Sequence, residues 1–184
     1  MITFLDCVGE AYFQLRLKIR NQTPNGLKED IISINSNSEY KISVFENENA
    51  IVRRTVIKNT TDTSLYIENI ASLSLDLQGN NFEMITLSGA WARERHIERY
   101  PLHQGICSVE SRRGSSSHQL NPFAALVDKN ASENYGDVYG TALVYSSDFK
   151  ISAETNQLDS VRLQVGINPE TFTWKLGPNE TFNS

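Results

Sequence analysis

Cysteine is scarce: Cys7 and Cys107 are the only two in 184 residues, and neither has another thiol nearby in sequence. That excludes a disulfide framework, a Cys-rich zinc module and a C-x-x-C redox motif, and makes a reducing compartment the default. Histidine is nearly as rare, and the spacings of His96, His103 and His118 match no zinc motif. These histidines are read as satisfied or exposed, so no metal and no cofactor is expected. No run of about 18 apolar residues exists to cross a membrane. The opening MITFLDCVGEAYF has no basic segment and places Asp6 and Glu10 where a signal peptide needs unbroken apolar residues. A cytoplasmic protein is expected, and the sequons at Asn21, Asn59, Asn130 and Asn179 carry no weight there. Excess positive charge is also missing. A formal net charge of -5 repels polyphosphates and anionic headgroups, so neither nucleic acid nor membrane is expected as a partner.

What the chain has in quantity is period-two alternation. Its clearest run is Leu65, Ile67, Asn69, Ala71, Leu73, Leu75 and Leu77, which a single strand would point to one side. Shorter runs recur at Leu15 to Ile19, Tyr40 to Val44, Val161 to Ile167 and Phe172 to Leu176. Turn residues separate them, as in Pro24-Asn25-Gly26, Gly79-Asn80-Asn81 and Gly177-Pro178-Asn179. No sustained 3.6-residue stripe competes. One all-β domain over residues 1–184 is therefore expected, an antiparallel β-sandwich of two packed sheets. Gly140, inside the alternating run that begins at Val138, predicts a bulge or a close backbone approach, and Gly89 and Gly114 predict positive φ at strand exits.

Alternation fails over residues 89–123, which read as one long irregular stretch holding all three histidines and five of the ten arginines. Glu94, Glu98 and Glu110 are near enough in sequence to pair with most of those guanidinium groups. Sparse aromatics, Trp91 and Tyr100, do not make a nucleic-acid stacking surface. A Ser/His/Asp triad drawn from Ser115 to Ser117, His118 and Asp128 or Asp137 lacks a Gly-x-Ser-x-Gly elbow. The carboxylates Glu94, Glu98, Glu133 and Asp137 show no spacing that selects a glycosidase pair.

Four segments in order, LSGAWARERHIERYPLHQGI (87–106), ESRRGSSSHQLNPFAAL (110–126), YGDVYGTALVYS (135–146) and VGINPETFTWKLGPNETF (165–182), resemble glycoside hydrolase family 36 α-galactosidases. FENENAIVRRTVIKN (45–59) is similar to the family's strand leading into this block. The resemblance implies the family's N-terminal β-supersandwich, truncated at its N-terminal side and lacking the catalytic (β/α)8 barrel that follows. It implies complete enzymes that release terminal α-galactose from melibiose- and raffinose-type sugars with retention, through two barrel aspartates absent here. The chain alone is then expected to be inactive, a scaffold whose partners are that barrel and, further, a homo-oligomer and a galactoside. Trp91, Arg93, Arg95, Arg112, Arg113, His118 and Asn121 are the expected interface or positioning residues. An autonomous carbohydrate-binding module, stacking sugar on Trp91 or Tyr100, is the alternative. The family usually has Gly-Asn where Ser147-Asp148 stands, and Gly where Asn179 stands, which bears on turn geometry.

Overall fold

Apolar side chains spaced two apart can be buried together only if the backbone is extended, and most of the described residues lie in strands. The computed structural model describes residues 18–20, 38–45 and 49–184. In chain order its strands are β1 (Lys18–Arg20), β2 (Ser38–Phe45), β3 (Ala50–Lys58), β4 (Leu65–Asn69), β5 (Ala71–Gln78), β6 (Phe82–Ala90) and β7 (Arg93–Pro101). There follow β8 (Gly105–Glu110), β9 (Leu120–Asp128), β10 (Val138–Ala142), β11 (Phe149–Thr155), β12 (Ser160–Ile167), β13 (Trp174–Leu176) and β14 (Thr181–Asn183). One 3-10 turn, Pro169–Thr171, is the helical element among the described residues.

Two four-stranded sheets, ordered β10-β9-β6-β7 and β5-β12-β11-β8, pack face to face as the large sandwich. Their inner rows supply the main core: Met84, Ala124 and Leu126 from one sheet, and Phe149, Ile151, Ala153, Val161, Leu163 and Val165 from the other. The outer face of the second sheet is polar, where Arg162 makes a two-pronged bond to Asp76 at 2.6 and 2.8 Å. A three-stranded pair, β1-β4-β13 and β14-β3-β2, forms a smaller sandwich around Ile57, Ile67, Ile70 and Leu176.

Asn59 staples the smaller sandwich. Fully buried, it donates to the carbonyls of Thr63, Leu176 and Gly177 and accepts from the Thr61 amide and hydroxyl. Few side chains other than an amide can serve both roles at once.

Three expectations change. The run Leu65 to Leu77 is two strands, not one: β4 and β5 belong to different sheets, and the chain crosses between them at buried Ile70. Gly166 makes room for the crossing, since a Cβ there would stand 2.5 Å from the Ile70 carbonyl oxygen. The serines between the leucines, Ser72 and Ser74, are buried too, because β3 lies over that face of β5 and Arg53 and Thr55 bond its backbone carbonyls. Residues 89–123 are not one irregular stretch. They contain β7, β8 and the start of β9, and alternation is invisible in β7 because residues 93–99 are exposed on both faces. Gly140 sits in regular register opposite Ala125, with neither a bulge nor a close contact. The expected run at Leu15 to Ile19 and the turn at Pro24 to Gly26 lie largely outside the described residues.

Replacing Asn59 by Ala removes the side-chain bonds to the Leu176 and Gly177 carbonyls and from the Thr61 amide, while the Thr61 hydroxyl keeps its bond to the Thr63 carbonyl, and the expected cost is about 3 kcal/mol in urea unfolding.

Candidate functional site

The motifs 87–106 and 110–126 meet at Gly89. Its amide donates to the Gln119 carbonyl at 3.0 Å, and the Asn121 amide donates to the Leu87 carbonyl at 3.4 Å. A Cβ at Gly89 would overlap the Arg93 carbonyl oxygen and stand 2.9 Å from that of His118. Glycine is needed here for closeness rather than for positive φ, which is found instead at Gly114. The β6–β7 hairpin and the 111–119 loop thereby form one corner at the end of the large sandwich.

Trp91 projects from the hairpin tip with 86% of its surface exposed. Its neighbour Ala92 has φ 61, a conformation that costs a non-glycine residue energy, and the Ala92 amide is held by the Glu94 carboxylate at 2.9 Å. Arg95 also has positive φ, at 57. Glu98 accepts from the Ser88 hydroxyl at 2.7 Å. Glu94 and Glu98 thus serve the hairpin itself. Among the described residues Arg93, Arg95 and Arg113 make no ion pair, contrary to the expectation of general pairing. Arg112 bonds Glu110 at 2.8 Å and leans toward Glu170 at 3.8 Å, while Arg99 pairs with Glu83. Arg113 and His118 are exposed, and Asn121 is half-buried.

The 111–119 loop is held from beneath by Asp148, Asn168 and Ser147, none of them among the expected positioning residues. The Asp148 carboxylate accepts from the Gly114 amide at 2.7 Å and the Thr171 hydroxyl at 3.0 Å. Buried Asn168 donates to the Ser111 carbonyl at 3.1 Å while its oxygen caps the Glu170 amide. Ser147 donates to the Gly114 carbonyl. The departure Ser147-Asp148 therefore builds hydrogen bonds into the turn, and Asn168 ties the loop to the 3-10 turn that follows it.

Arg99 works elsewhere, donating to the carbonyls of Asp128, Lys129 and Ala131 and clasping the β9–β10 turn. Asp128 and Asp137 lie in that turn, at the far end of β9 from His118 by roughly 25 Å of strand. No triad is assembled. Among the described residues, no group of three or more His, Cys, Asp or Glu could hold a metal. Tyr100 is half-buried against the core, not a sugar platform. Burial raises its phenol above the ordinary value, opposed by a hydrogen bond with Thr86.

Two outcomes follow from this geometry. Gly89→Ala must push the hairpin off the loop and is expected to cost about 2 kcal/mol in a thermal or denaturant melt. Because the Tyr100 phenol is raised in the folded state, stability holds below the ordinary tyrosine pKa of about 10 and falls as pH rises past it, and Tyr100→Phe flattens that part of the profile.

Residues 32–177 match the family described as Glycosyl hydrolase family 36 N-terminal domain. The chain is 45% identical over 142 residues to α-galactosidase AgaA of Geobacillus stearothermophilus, covering 77% of this chain and 20% of that protein. It is 41% identical over 151 residues to α-galactosidase Mel36A of Lactobacillus acidophilus, covering 81% and 21%. A solved structure of a variant of the Geobacillus stearothermophilus enzyme AgaA in complex with raffinose superposes with TM-score 0.76 at 36% identity, covering 95% of this chain and 27% of that one. The chain spans about a fifth of the length of these curated relatives.

Proposed function

The chain belongs to the N-terminal domain family of glycosyl hydrolase family 36, and on that premise we propose that it is a non-catalytic scaffold that docks a catalytic domain. The catalytic (β/α)8 barrel of an α-galactosidase acting on melibiose- and raffinose-type sugars is the partner. One observation carries this reading: the corner brings an exposed tryptophan and two unpaired arginines of the hairpin together with a third, Arg113, on a loop that Asp148 and Asn168 hydrogen-bond from beneath. Exposed Trp and free Arg are the residue types that dominate protein interfaces, and a pre-shaped surface loses little entropy on docking. Trp91, Arg93, Arg95 and Arg113 are the contacts in this reading. Arg112, His118 and Asn121 position the loop. The relatives' extra length is the room in which the partner would be found.

The test compares the 184-residue chain with the same chain extended through its downstream reading frame, on a chromogenic α-galactoside. Turnover is expected only from the extended protein. In that protein Trp91→Ala is expected to weaken docking by about 2 kcal/mol, seen as separate melting of two domains. Turnover by the short chain would overturn the reading. An indole fluorescence change on adding raffinose to the short chain, lost in Trp91→Ala, would favour an autonomous carbohydrate-binding module instead.

A further inference from the structure

A free sheet edge presents a row of backbone N–H and C=O groups that could pair with another strand, and proteins guard such edges with charge, proline, bulges or brevity. Among the described residues most edges are guarded. β7 carries Arg93, Glu94, Arg95, Glu98 and Arg99 along its length, β2 carries Glu39 and Lys41, and β1 carries Lys18 and Arg20. β13 and β14 are three residues each. β3 lies over β5 and bonds its carbonyls through Arg53 and Thr55. β8 ends at Glu110, with which Arg112 and Lys150 pair. The exception is β10. Residues 138–147, VYGTALVYSS, hold no charge and no proline, and Asp137 and Asp148 stand just outside the run.

β10 is the last strand of its sheet, and its register shows which backbone groups are spare. The Asp128 amide donates to the Asp137 carbonyl at 3.1 Å and the Leu143 amide to the Pro122 carbonyl at 3.0 Å, so the odd-numbered residues of β10 bond β9. Antiparallel bonding alternates, and the N–H and C=O groups of Val138, Gly140 and Ala142 therefore point to the free edge. All three residues are exposed. Gly140 stands at their centre. A glycine inside a strand weakens it and often marks the approach of another backbone. Within the chain no such approach exists, since a Cβ here would meet only the Phe123 ring, at an ordinary 3.9 Å. The approach that Gly140 allows is from outside.

We propose that β10 is a pairing edge and that its partner is β10 of a second copy of this chain, antiparallel and centred on Gly140. In such a pair a two-fold axis sets each residue opposite the one equally far beyond the centre. Gly140 then meets Gly140 of the second copy and Val138 meets Ala142, the three residues whose backbone groups face outward, which gives about six hydrogen bonds between the copies. Tyr139 meets Thr141 on the other face. No charge is opposed anywhere along the contact. β7 paired with itself about His96 would instead set Arg93 against Arg99 and Glu94 against Glu98. An identical strand is thus matched to β10 in length, in register and in lack of charge, and the two four-stranded sheets become one of eight strands. β10 and β7 are opposite edges of their sheet, so the pairing uses a different edge from the hairpin corner and does not depend on what docks there.

The test is sedimentation of the 184-residue chain over about a hundredfold range of concentration, with amide hydrogen exchange on the same samples. A concentration-dependent dimer is expected. In it the amides of Val138, Gly140 and Ala142 exchange slowly and become fast on dilution, while those of Tyr139 and Thr141, bonded to β9, stay slow throughout. Gly140→Lys and Gly140→Glu each place like charges opposite each other on the axis, at a position with room for a side chain and without positive φ. Each is expected to weaken the dimer about tenfold with no fall in melting temperature, and a mixture of the two variants is expected to restore it. The proposal is overturned by a monomer at every concentration, by a dimer whose Val138, Gly140 and Ala142 amides exchange freely, or by a mixture of the variants that fails to associate. Protection of those amides only in the protein extended through its downstream reading frame would overturn it as well, and would assign the edge to a strand of the longer polypeptide. None of these results turns on galactosidase turnover, so the two readings fall separately.

Discussion

The close approach of two inner rows, Phe149-Ile151-Ala153 on β11 and Val161-Leu163-Val165 on β12, to Met84, Ala124 and Leu126 across the sandwich sets every other position in the molecule. Removing these side chains from water is the dominant favourable term, and it acts only if large and small residues fill the space together, as Phe149, Ile151 and Leu163 do with Ala124 and Ala153 in this core. Once the rows are fixed, the ends of the strands are fixed as well, and with them the places where turns can carry chemistry. The polar outer face around Asp76 and Arg162 can then remain in water, as antiparallel sheets allow.

Alternation in the sequence shows which side of each strand is apolar, and this is why the sandwich was legible for β11, β12 and most of the rest. It does not show which sheet a strand joins. The leucines on either side of Ile70 continue the same period while the chain changes sheets, and the buried serines between them look like solvent-facing residues because a hydroxyl is small enough to lie beneath β3. The arginines misled for a related reason. In a strand, sequence neighbours point to opposite faces, so Glu94 and Glu98 do not reach the arginines beside them. The partners that are found come from Glu83 on the neighbouring strand, from Glu110 two residues away, and from distant Glu170. Asp148 and Asn168 could not be singled out as supports of the 111–119 loop because the contact spans tens of residues in sequence.

Local rules are broken where the two motifs meet. Ala92 and Arg95 adopt backbone angles usually left to glycine, a long strand is exposed on both faces, and cations go unpaired. Elsewhere the exceptions are scattered singly, as at the buried Ser72 and Thr155 hydroxyls and at Asp159 and Asn179 with positive φ. Several conflicts gathered at one corner are the pattern of a surface shaped for something other than its own stability.

The burial of Asn59 bears on how such a protein can be manufactured. Asn59-Thr60-Thr61 is an acceptor sequence for N-linked glycan, and in a secretory host the sugar is attached while the chain is still unfolded. A glycan there would occupy the amide that three backbone carbonyls require and could not fit a site with no solvent exposure. A yeast secretion strain would therefore turn a stabilising side chain into a folding block, whereas a bacterial cytosol would leave it intact.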